Sequence, residues 1–317
     1  MTKQVTDTIM LVRPTAFHLN EETAVDNHFQ HELQFSAGEI QQRARLEFDT
    51  FSQELTSNGI EVIEFVSEEG SDTPDSIFPN NWISTHEAGI IYIYAIHAEN
   101  RRLEKRRDIV ESLRSRFGYH TVYDFSGLEA ANGFVEGTGS MIFDRQNKIA
   151  YAAYSERTTE QGLRAFAEQT GYHYLGFDAN QTVNGQRLPI YHTNVMMEVG
   201  EHFAVVCLGS IDDKKQRHDV LDRLEVTGKE IIEISEAQVR SFAGNILQVC
   251  NVEGKRFIVM STAAYEIFSF EQKRRLSQHG TLLHSPIPTI ETLGGGGVRC
   301  MMAEIFKPEK QEVEIDD

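Results

Sequence analysis

Gly294-Gly295-Gly296-Gly297-Val298-Arg299-Cys300 closes on the one cysteine of this chain that stands in polar, glycine-rich company. Consecutive glycines let the backbone approach a ligand closely and turn its N–H groups inward. Such amides, set beside a thiol, stabilise a thiolate or an oxyanion. Taken alone, the stretch reads equally well as a flexible turn ahead of the apolar run Met301–Phe306, with an ordinary buried cysteine in it. The decision comes from counting backward. Asn81, Glu136, His192, Asn245 and Cys300 follow one another at intervals of 55, 56, 53 and 55 residues.

Each of these residues stands just ahead of a predicted hairpin, and each hairpin is followed by a helical pattern and a further strand. The first strand is Ile9–Pro14, followed after Asn20 by a helical stretch that stops at Asn58-Gly59 and a strand at Glu61–Val66. Ile77–Trp82 leads to a hairpin whose second arm is Ile90–Ile96, and a helix is expected over Arg101–Phe117. The second round runs from strand His120–Phe125 through a hairpin at Met141–Asp144 and Ile149–Tyr154 to a helix at Glu156–Gln169. The third has strand Tyr172–Phe177, a hairpin at Val195–Val199 and Phe203–Leu208, and a helix at Asp212–Leu224; the fourth has strand Glu230–Ile234, a hairpin turning at Glu253-Gly254 and a helix at Ala263–Gln278. Thr281–His284 then leads back to the glycine run. A fixed period of this length indicates a repeat architecture. Five strand–hairpin–helix units, the first split between the two ends of the chain, predict an α/β fold of pseudo-fivefold symmetry, a five-bladed α/β propeller, as one domain over residues 1–317. Radial repetition protects sheet edges and brings equivalent strand ends around one centre.

Composition agrees with a globular protein acting on a small molecule. The chain has 317 residues, 40% hydrophobic and 25% charged, with a formal net charge of −18, which argues against binding nucleic acid or an anionic membrane through a general basic surface. No stretch approaches the run of about 20 apolar residues that a membrane span requires, and the N-terminus does not read as a signal peptide. The cysteines, Cys207, Cys250 and Cys300, are odd in number and lack a CxxC pair, so neither a disulfide framework nor a cysteine zinc site is expected. Cys207 and Cys250 lie in apolar runs and read as core. The expected setting is the cytoplasm, with reduced thiols.

If the five loops converge, one pocket holds Cys300, His192 and Glu136, with Asn81, Asn194 and Asn245 nearby. A thiol, an imidazole and a carboxylate suit nucleophilic attack on a planar electrophilic carbon: the thiolate attacks, the imidazole serves the leaving amine as acid and then water as base, and the carboxylate orients the imidazole or the substrate. Singly, His192 reads as a satisfied strand-end histidine and Glu136 as a solvated charge; the weight lies in their equivalent places in the repeat. A metal site would require three or four clustered ligands, and no HxH or HxxxH pair is present. No metal and no cofactor is called for.

The ordered strings Asp75-Ser76-Ile77-Phe78-Pro79-Asn80-Asn81-Trp82, Glu136-Gly137-Thr138-Gly139-Ser140, Tyr191-His192-Thr193-Asn194-Val195-Met196-Met197 and Gly294–Phe306 resemble the guanidine-modifying, or pentein, superfamily along the whole chain. That group holds arginine deiminases, dimethylarginine dimethylaminohydrolases and amidinotransferases; the nearest resemblance is to its arginine-deiminase-related branch of amidinotransferase-like and citrulline-utilisation hydrolases. The resemblance implies a five-bladed α/β propeller. It also implies Cys300 as a nucleophile forming a covalent intermediate, His192 as acid and base, and Glu136 as the carboxylate of a Glu-Gly-Gly-Asp motif.

Three departures bear on the substrate. Where arginine-cleaving members carry aspartates in Phe-x-x-Asp and His-x-Asp, this chain has Asn81 and Asn194, and Gly139 stands where Glu-Gly-Gly-Asp ends in Asp. A carboxylate complements a cation, whereas an asparagine amide is neutral and both donates and accepts. The site is therefore expected to prefer a neutral ureido group, and the expected reaction is citrulline to ornithine, ammonia and carbon dioxide through a carbamoyl-enzyme. The alternatives are an arginine deiminase-like or dimethylarginine dimethylaminohydrolase-like hydrolase, an amidinotransferase, or, outside enzymes, an inactive propeller that binds an amino acid. A papain-like protease is set aside because Cys300 is predicted at a strand start rather than a helix start. Among Arg13, Arg145, Arg187 and Arg299, Arg187 is chosen to hold the substrate carboxylate. The partner is a small amino acid, a homo-oligomer is left open, and the loop Ser67–Asp75 is one candidate lid.

Overall fold

The computed structural model describes residues 2–68 and 70–309; the last residues of the expected domain lie outside that range. The fold is mixed α/β. Strand β1 (Thr8–Arg13) pairs in parallel with β2 (Glu61–Val66) across the helix Ala37–Ser57. That helix begins with a reciprocal capping box between Ser36 and Glu39, and it buries Ile40, Ala44, Phe48, Phe51 and Leu55, a spacing that keeps one face on the sheet. The helical expectation began far earlier, just after Asn20. Instead residues 14–36 form an irregular strap, because Asn20, Thr23, Asn27 and Gln30 direct polar side chains to buried partners rather than repeating a helical stripe.

The remaining units follow one plan: an antiparallel pair, a helix, then a third strand parallel to the second. β3 (Ile83–His86), β4 (Ile90–Ile93) and β5 (Thr121–Asp124) form one sheet, and β6 (Ile142–Asp144), β7 (Ile149–Tyr154) and β8 (His173–Asp178) the next. An extra two-stranded hairpin, β9 (Asn180–Val183) and β10 (Gln186–Pro189), interrupts the period; its turn uses Asn184 and Gly185, both at positive φ. The sequence reading passed over it, because its alternation is polar. β11 (Met197–Val199), β12 (Phe203–Val206) and β13 (Glu230–Glu233) follow, and then β14 (Leu247–Cys250), β15 (Arg256–Ser261) and β16 (Thr281–Ser285). Finally β17 (Ala303–Glu304) returns antiparallel to β1, so the first unit is indeed built from both ends of the chain.

Five three-stranded sheets thus repeat one topology. They are separate small sheets, and among the described residues no hydrogen-bonded barrel closes. Helices differ in detail from expectation. The helix expected at Arg101–Phe117 is a short turn at Asn100–Glu104 followed by Arg107–Phe117, and the one expected at Ala263–Gln278 breaks into Thr262–Ile267 and Phe270–Leu276, where Ser269 and Gln272 form a second capping box. Apolar faces of strands and helices merge into buried clusters between the sheets. Cys207 is buried as expected; Cys250, at the end of β14 beside Arg256, is only half-buried. All three cysteines are free.

Candidate active site

The five motif residues occupy equivalent places on tight turns immediately before the first strand of each antiparallel pair. Asn81 closes the turn Pro79–Asn81, Glu136 precedes the turn Gly137–Ser140, His192 precedes Thr193–Val195, Asn245 N–H closes a turn onto the Phe242 carbonyl, and Cys300 lies in Val298–Met301. Cys300 is therefore on a one-turn helix and not at a strand start, which corrects the ground on which a papain-like arrangement was set aside. The turn forms because Gly297 lets the chain pass close to Asn245, whose Oδ1 accepts from the Arg299 N–H at 3.1 Å; a Cβ at 297 would stand 2.6 Å from that oxygen.

The same bond orients Asn245. With its oxygen held by a backbone donor, its Nδ2 donates to the Asn194 carbonyl at 3.1 Å and to Cys300 Sγ at 3.2 Å. Asn194 Nδ2 adds a second donor to Sγ at 3.3 Å. Burial pushes the Cys300 thiol above its ordinary pKa, and these two amides and Arg299 pull against that. Two N–H groups aimed at sulfur stabilise charge there when the proton leaves.

Glu136 and His192 form a buried pair, with Nε2 to Oε2 at 2.8 Å. Glu136 is locked further: its Oε1 accepts from the His97 N–H at 2.9 Å, and its own N–H donates to Ser140 Oγ. Burial raises the Glu136 carboxyl, but the hydrogen bond from His192 and the positive charges around it, Arg157 and Arg101 among them, outweigh it and bring it down to about 2. Burial holds His192 below its ordinary value, against the pull of Glu136. The pair at neutral pH is thus a carboxylate and a neutral imidazole, with Nε2–H donating and Nδ1 left with a free lone pair. Nδ1 faces Gly139, where a Cβ would stand 2.8 Å from it and 2.4 Å from Asn81 Nδ2. A side chain at position 139 would therefore collide with both Asn81 and His192 as they are placed here.

Asn81 is oriented from behind. Its Oδ1 accepts from Arg101 Nη1 at 2.7 Å, and Arg101 is held by Glu104 through Nε at 3.0 Å and Nη2 at 2.9 Å. An arginine cannot face an amide N–H₂, so the Asn81 nitrogen points away, buried and without a partner. Asn194 Oδ1, Asn80 Oδ1 and Asp75 Oδ1 are likewise buried and unpartnered. One donor and several acceptors therefore remain open among these residues.

The structure brings Cys300, Asn194 and Asn245 into direct contact, pairs His192 with Glu136, and sets Asn81 beside His192 across Gly139. It does not bring Arg187 to them: that guanidinium lies on exposed β10, spent on Asp212 and Glu236. Arg13, Arg145 and Arg299 are also ion-paired, to Asp49, Glu304, and Glu304 with Glu198. Two buried arginines escaped the sequence reading. Both fall in the first turn of an expected helix, Arg101–Phe117 and Glu156–Gln169, yet Arg157 packs over Tyr191 and pairs with Asp26, and both act electrostatically on Glu136. The signal was available: each follows the hairpin of its own unit. The candidate lid loop Ser67–Asp75 ends in a buried Asp75 bound by Asn20 and Thr23; the strap is what lies over the glycine run, through Asn27 to the Gly294 and Gly295 carbonyls and Gln30 to that of Leu293. Asp26, His97 and Glu156 bring possible ligand atoms within 4.8 Å of one another, with Asp26 already committed to Arg157.

This fold and this constellation define a member of the guanidine-modifying superfamily, related to arginine deiminases and dimethylarginine dimethylaminohydrolases. The family model "N,N dimethylarginine dimethylhydrolase, eukaryotic" matches residues 13–307, and the chain belongs to that family; it is a hydrolase of carbon–nitrogen bonds other than peptide bonds. No curated protein matches it in sequence. Among solved structures, the N-terminal domain of ArgZ, an arginine dihydrolase of the ornithine–ammonia cycle in cyanobacteria, is similar with a TM-score of 0.69 at 16% identity over 95% of this chain and 98% of that one. A variant of AgrE bound to L-arginine gives 0.71 at 18% identity over 96% and 41%, and a dimethylarginine dimethylaminohydrolase carrying an S-methyl-L-thiocitrulline adduct gives 0.62 at 17% over 96% and 100%. At these identities the likeness is one of fold. Among the described residues no helix is long and apolar enough to cross a membrane.

Proposed function

We propose that this protein is a cysteine hydrolase of the ureido group of a free amino acid, with citrulline as substrate and ornithine, ammonia and carbon dioxide as products. The observation that carries this reading is the orientation of Asn81. Arg101 holds its oxygen, so what it offers the substrate is a donor. A ureido carbonyl accepts that donor, whereas a guanidinium has only N–H groups to present and would leave it unpaired. Asn194 Oδ1, buried and without a partner on the amide that donates to Sγ, suits the ureido N–H₂.

Cys300 Sγ attacks the ureido carbon while the N–H groups of Asn194 and Asn245 carry the charge on sulfur. The bond from that carbon to the side-chain nitrogen breaks, and the thiol's proton passes through His192 Nδ1 to the leaving amine, giving ornithine and S-carbamoyl-Cys300. Water, deprotonated by the same nitrogen, attacks the carbamoyl carbon; thiol is regenerated, and the carbamate released decomposes to ammonia and carbon dioxide. Glu136 keeps the imidazole in the tautomer that leaves Nδ1 free. Contacts between successive sheets support this reading: β17 lies against β3, β6 against β11, and β11 against β14, as neighbouring blades of one propeller would.

Hydrolysis of arginine is the second reading, favoured by the arginine-bound structure that the fold resembles and by the buried carboxylate of Asp75. Incubation with citrulline, arginine and dimethylarginine, followed by measurement of ornithine, citrulline and ammonia, separates them. Ornithine and ammonia from citrulline support the proposal. Citrulline accumulating from arginine, with citrulline itself inert, sinks it.

A further inference from the structure

The elements that break the fivefold period border one feature: the extra hairpin β9–β10, the strap, and the helix Pro288–Gly294 that runs into the glycine loop line a solvent-open cavity of about 440 Å³. None of the residues placed at the candidate active site lines it. Two of its lining side chains are more than nine-tenths buried and hold an atom without a partner: Gln181 Nε2, a donor, and Glu291 Oε1, an acceptor. Phe29 and Phe242, with ring centroids 5.4 Å apart, supply an apolar wall. The side chain of Arg240 lies at the same cavity and makes no hydrogen bond or ion pair among the described residues.

The geometry points to a second ligand site here, for a free α-amino acid with an apolar side chain. Its ammonium group meets Glu291, its carboxylate meets Gln181 and Arg240, and its side chain lies on Phe29 and Phe242. Each end of such a zwitterion offers a partner to an atom that the fold leaves without one, Glu291 Oε1 at the ammonium and Gln181 Nε2 at the carboxylate. Burial brings the Glu291 carboxyl up to about 7, with Glu47 nearby adding to it, so an arriving ammonium meets a group poised to ionise. Arg187 acquires a role in this picture. It binds Asp212, Glu236 and Thr182 Oγ1, and so pins the hairpin whose Gln181 enters the cavity.

Occupancy reaches the nucleophile's loop through backbone. His31 N–H donates to the Thr292 carbonyl at 2.7 Å and Gln30 to that of Leu293 at 2.9 Å, so strap and helix move as a unit that ends at Gly294. A ligand bridging them stiffens the segment from Pro288 to Cys300.

The test uses the full chain and a panel of leucine, methionine, phenylalanine, glycine, ornithine and citrulline, with binding followed by calorimetry and by melting temperature. An apolar amino acid is expected to bind and to raise the melting midpoint, to remain bound in the presence of saturating citrulline or arginine, and to slow amide exchange across Pro288–Cys300. Glu291→Gln and Gln181→Leu are each expected to weaken that binding by about tenfold or more. Should Glu291→Gln fail to fold, Gln181→Leu on the hairpin carries the comparison. The proposal is overturned if no apolar member binds, if citrulline or arginine displaces whatever binds, or if folded variants bind within twofold of the wild type. Because both competitors are used, the result does not depend on which of them is the substrate.

Discussion

Replacing Asn81 by aspartate reverses one hydrogen-bonding atom in the site and little else. One carboxylate oxygen takes over the 2.7 Å bond to Arg101 Nη1, now charge-assisted, and Arg101 keeps Glu104 as its anchor. The other oxygen stands where Asn81 Nδ2 stood, so the substrate meets an acceptor in place of a donor. For a ureido oxygen the bond is lost and a buried acceptor is left unpaired, which costs about 1–3 kcal/mol, or about 5- to 150-fold in kcat/KM. For a guanidinium the same oxygen forms a charge-assisted bond worth about 1.5–3 kcal/mol. The ratio of citrulline to arginine turnover is thus expected to shift toward arginine by about a hundredfold to ten-thousandfold. The assay is initial-rate ornithine and citrulline production by purified Asn81→Asp and wild type, with melting curves to show that both are folded. A variant that turns over citrulline within twofold of wild type and gains nothing on arginine refutes the orientation argument.

Four further outcomes follow from the same geometry. Cys300→Ala is expected to abolish product formation while leaving the melting midpoint within a few degrees, since it removes only a small buried sulfur; residual turnover would exclude the covalent route. Gly139→Ala puts a methyl 2.4 Å from Asn81 Nδ2 and 2.8 Å from His192 Nδ1, so both side chains must shift, and kcat/KM is expected to fall by about tenfold or more together with a lower melting midpoint. Acid sensitivity has two parts. His192 stays neutral in the fold below 6.5, where the unfolded chain takes up a proton, and Glu136 stays ionised from 4.5 down to about 2, where the unfolded chain is protonated; in both windows the unfolded state binds more protons, so stability falls with pH, and His192→Gln should remove the upper part of that fall in melting curves. Glu198 works in the opposite sense. Burial raises it to about 8, so between 4.5 and 8 the folded state holds the proton that the unfolded state has lost, and stability falls as pH rises; Glu198→Gln is expected to flatten the melting profile over that range.

Why some of this was legible beforehand and some was not has a physical explanation. The period was visible because each unit must place a polar residue on a turn at one end of an antiparallel pair, and a turn leaves a strong local trace: Pro79-Asn80-Asn81, Glu136-Gly137, and the four glycines. Cys300, His192 and Glu136 fell out of that trace. Arg101 and Arg157 did not, because a buried arginine is written like a surface one; its place after a hairpin is a weak trace, and the burial shows in the partners, Glu104 three residues on and Asp26 from the strap. Arg187 misled for the converse reason, standing close to His192 in sequence while the hairpin carries it away. The strap was hidden because its order comes from single long-range bonds such as Asn27 to Gly295, which have no periodicity to detect.

The pairing of β1 with β17 has a consequence for synthesis. Residues Ile9 and Met10 meet Glu304 and Ala303, so the strand made first waits for one made almost last. Cys300 sits four residues before that late partner and gains its amide neighbours Asn194 and Asn245 only when the returning segment docks. A nascent chain stalled before residue 300 therefore lacks both the candidate nucleophile and the strand that completes the first sheet, however much of the other four units has been made.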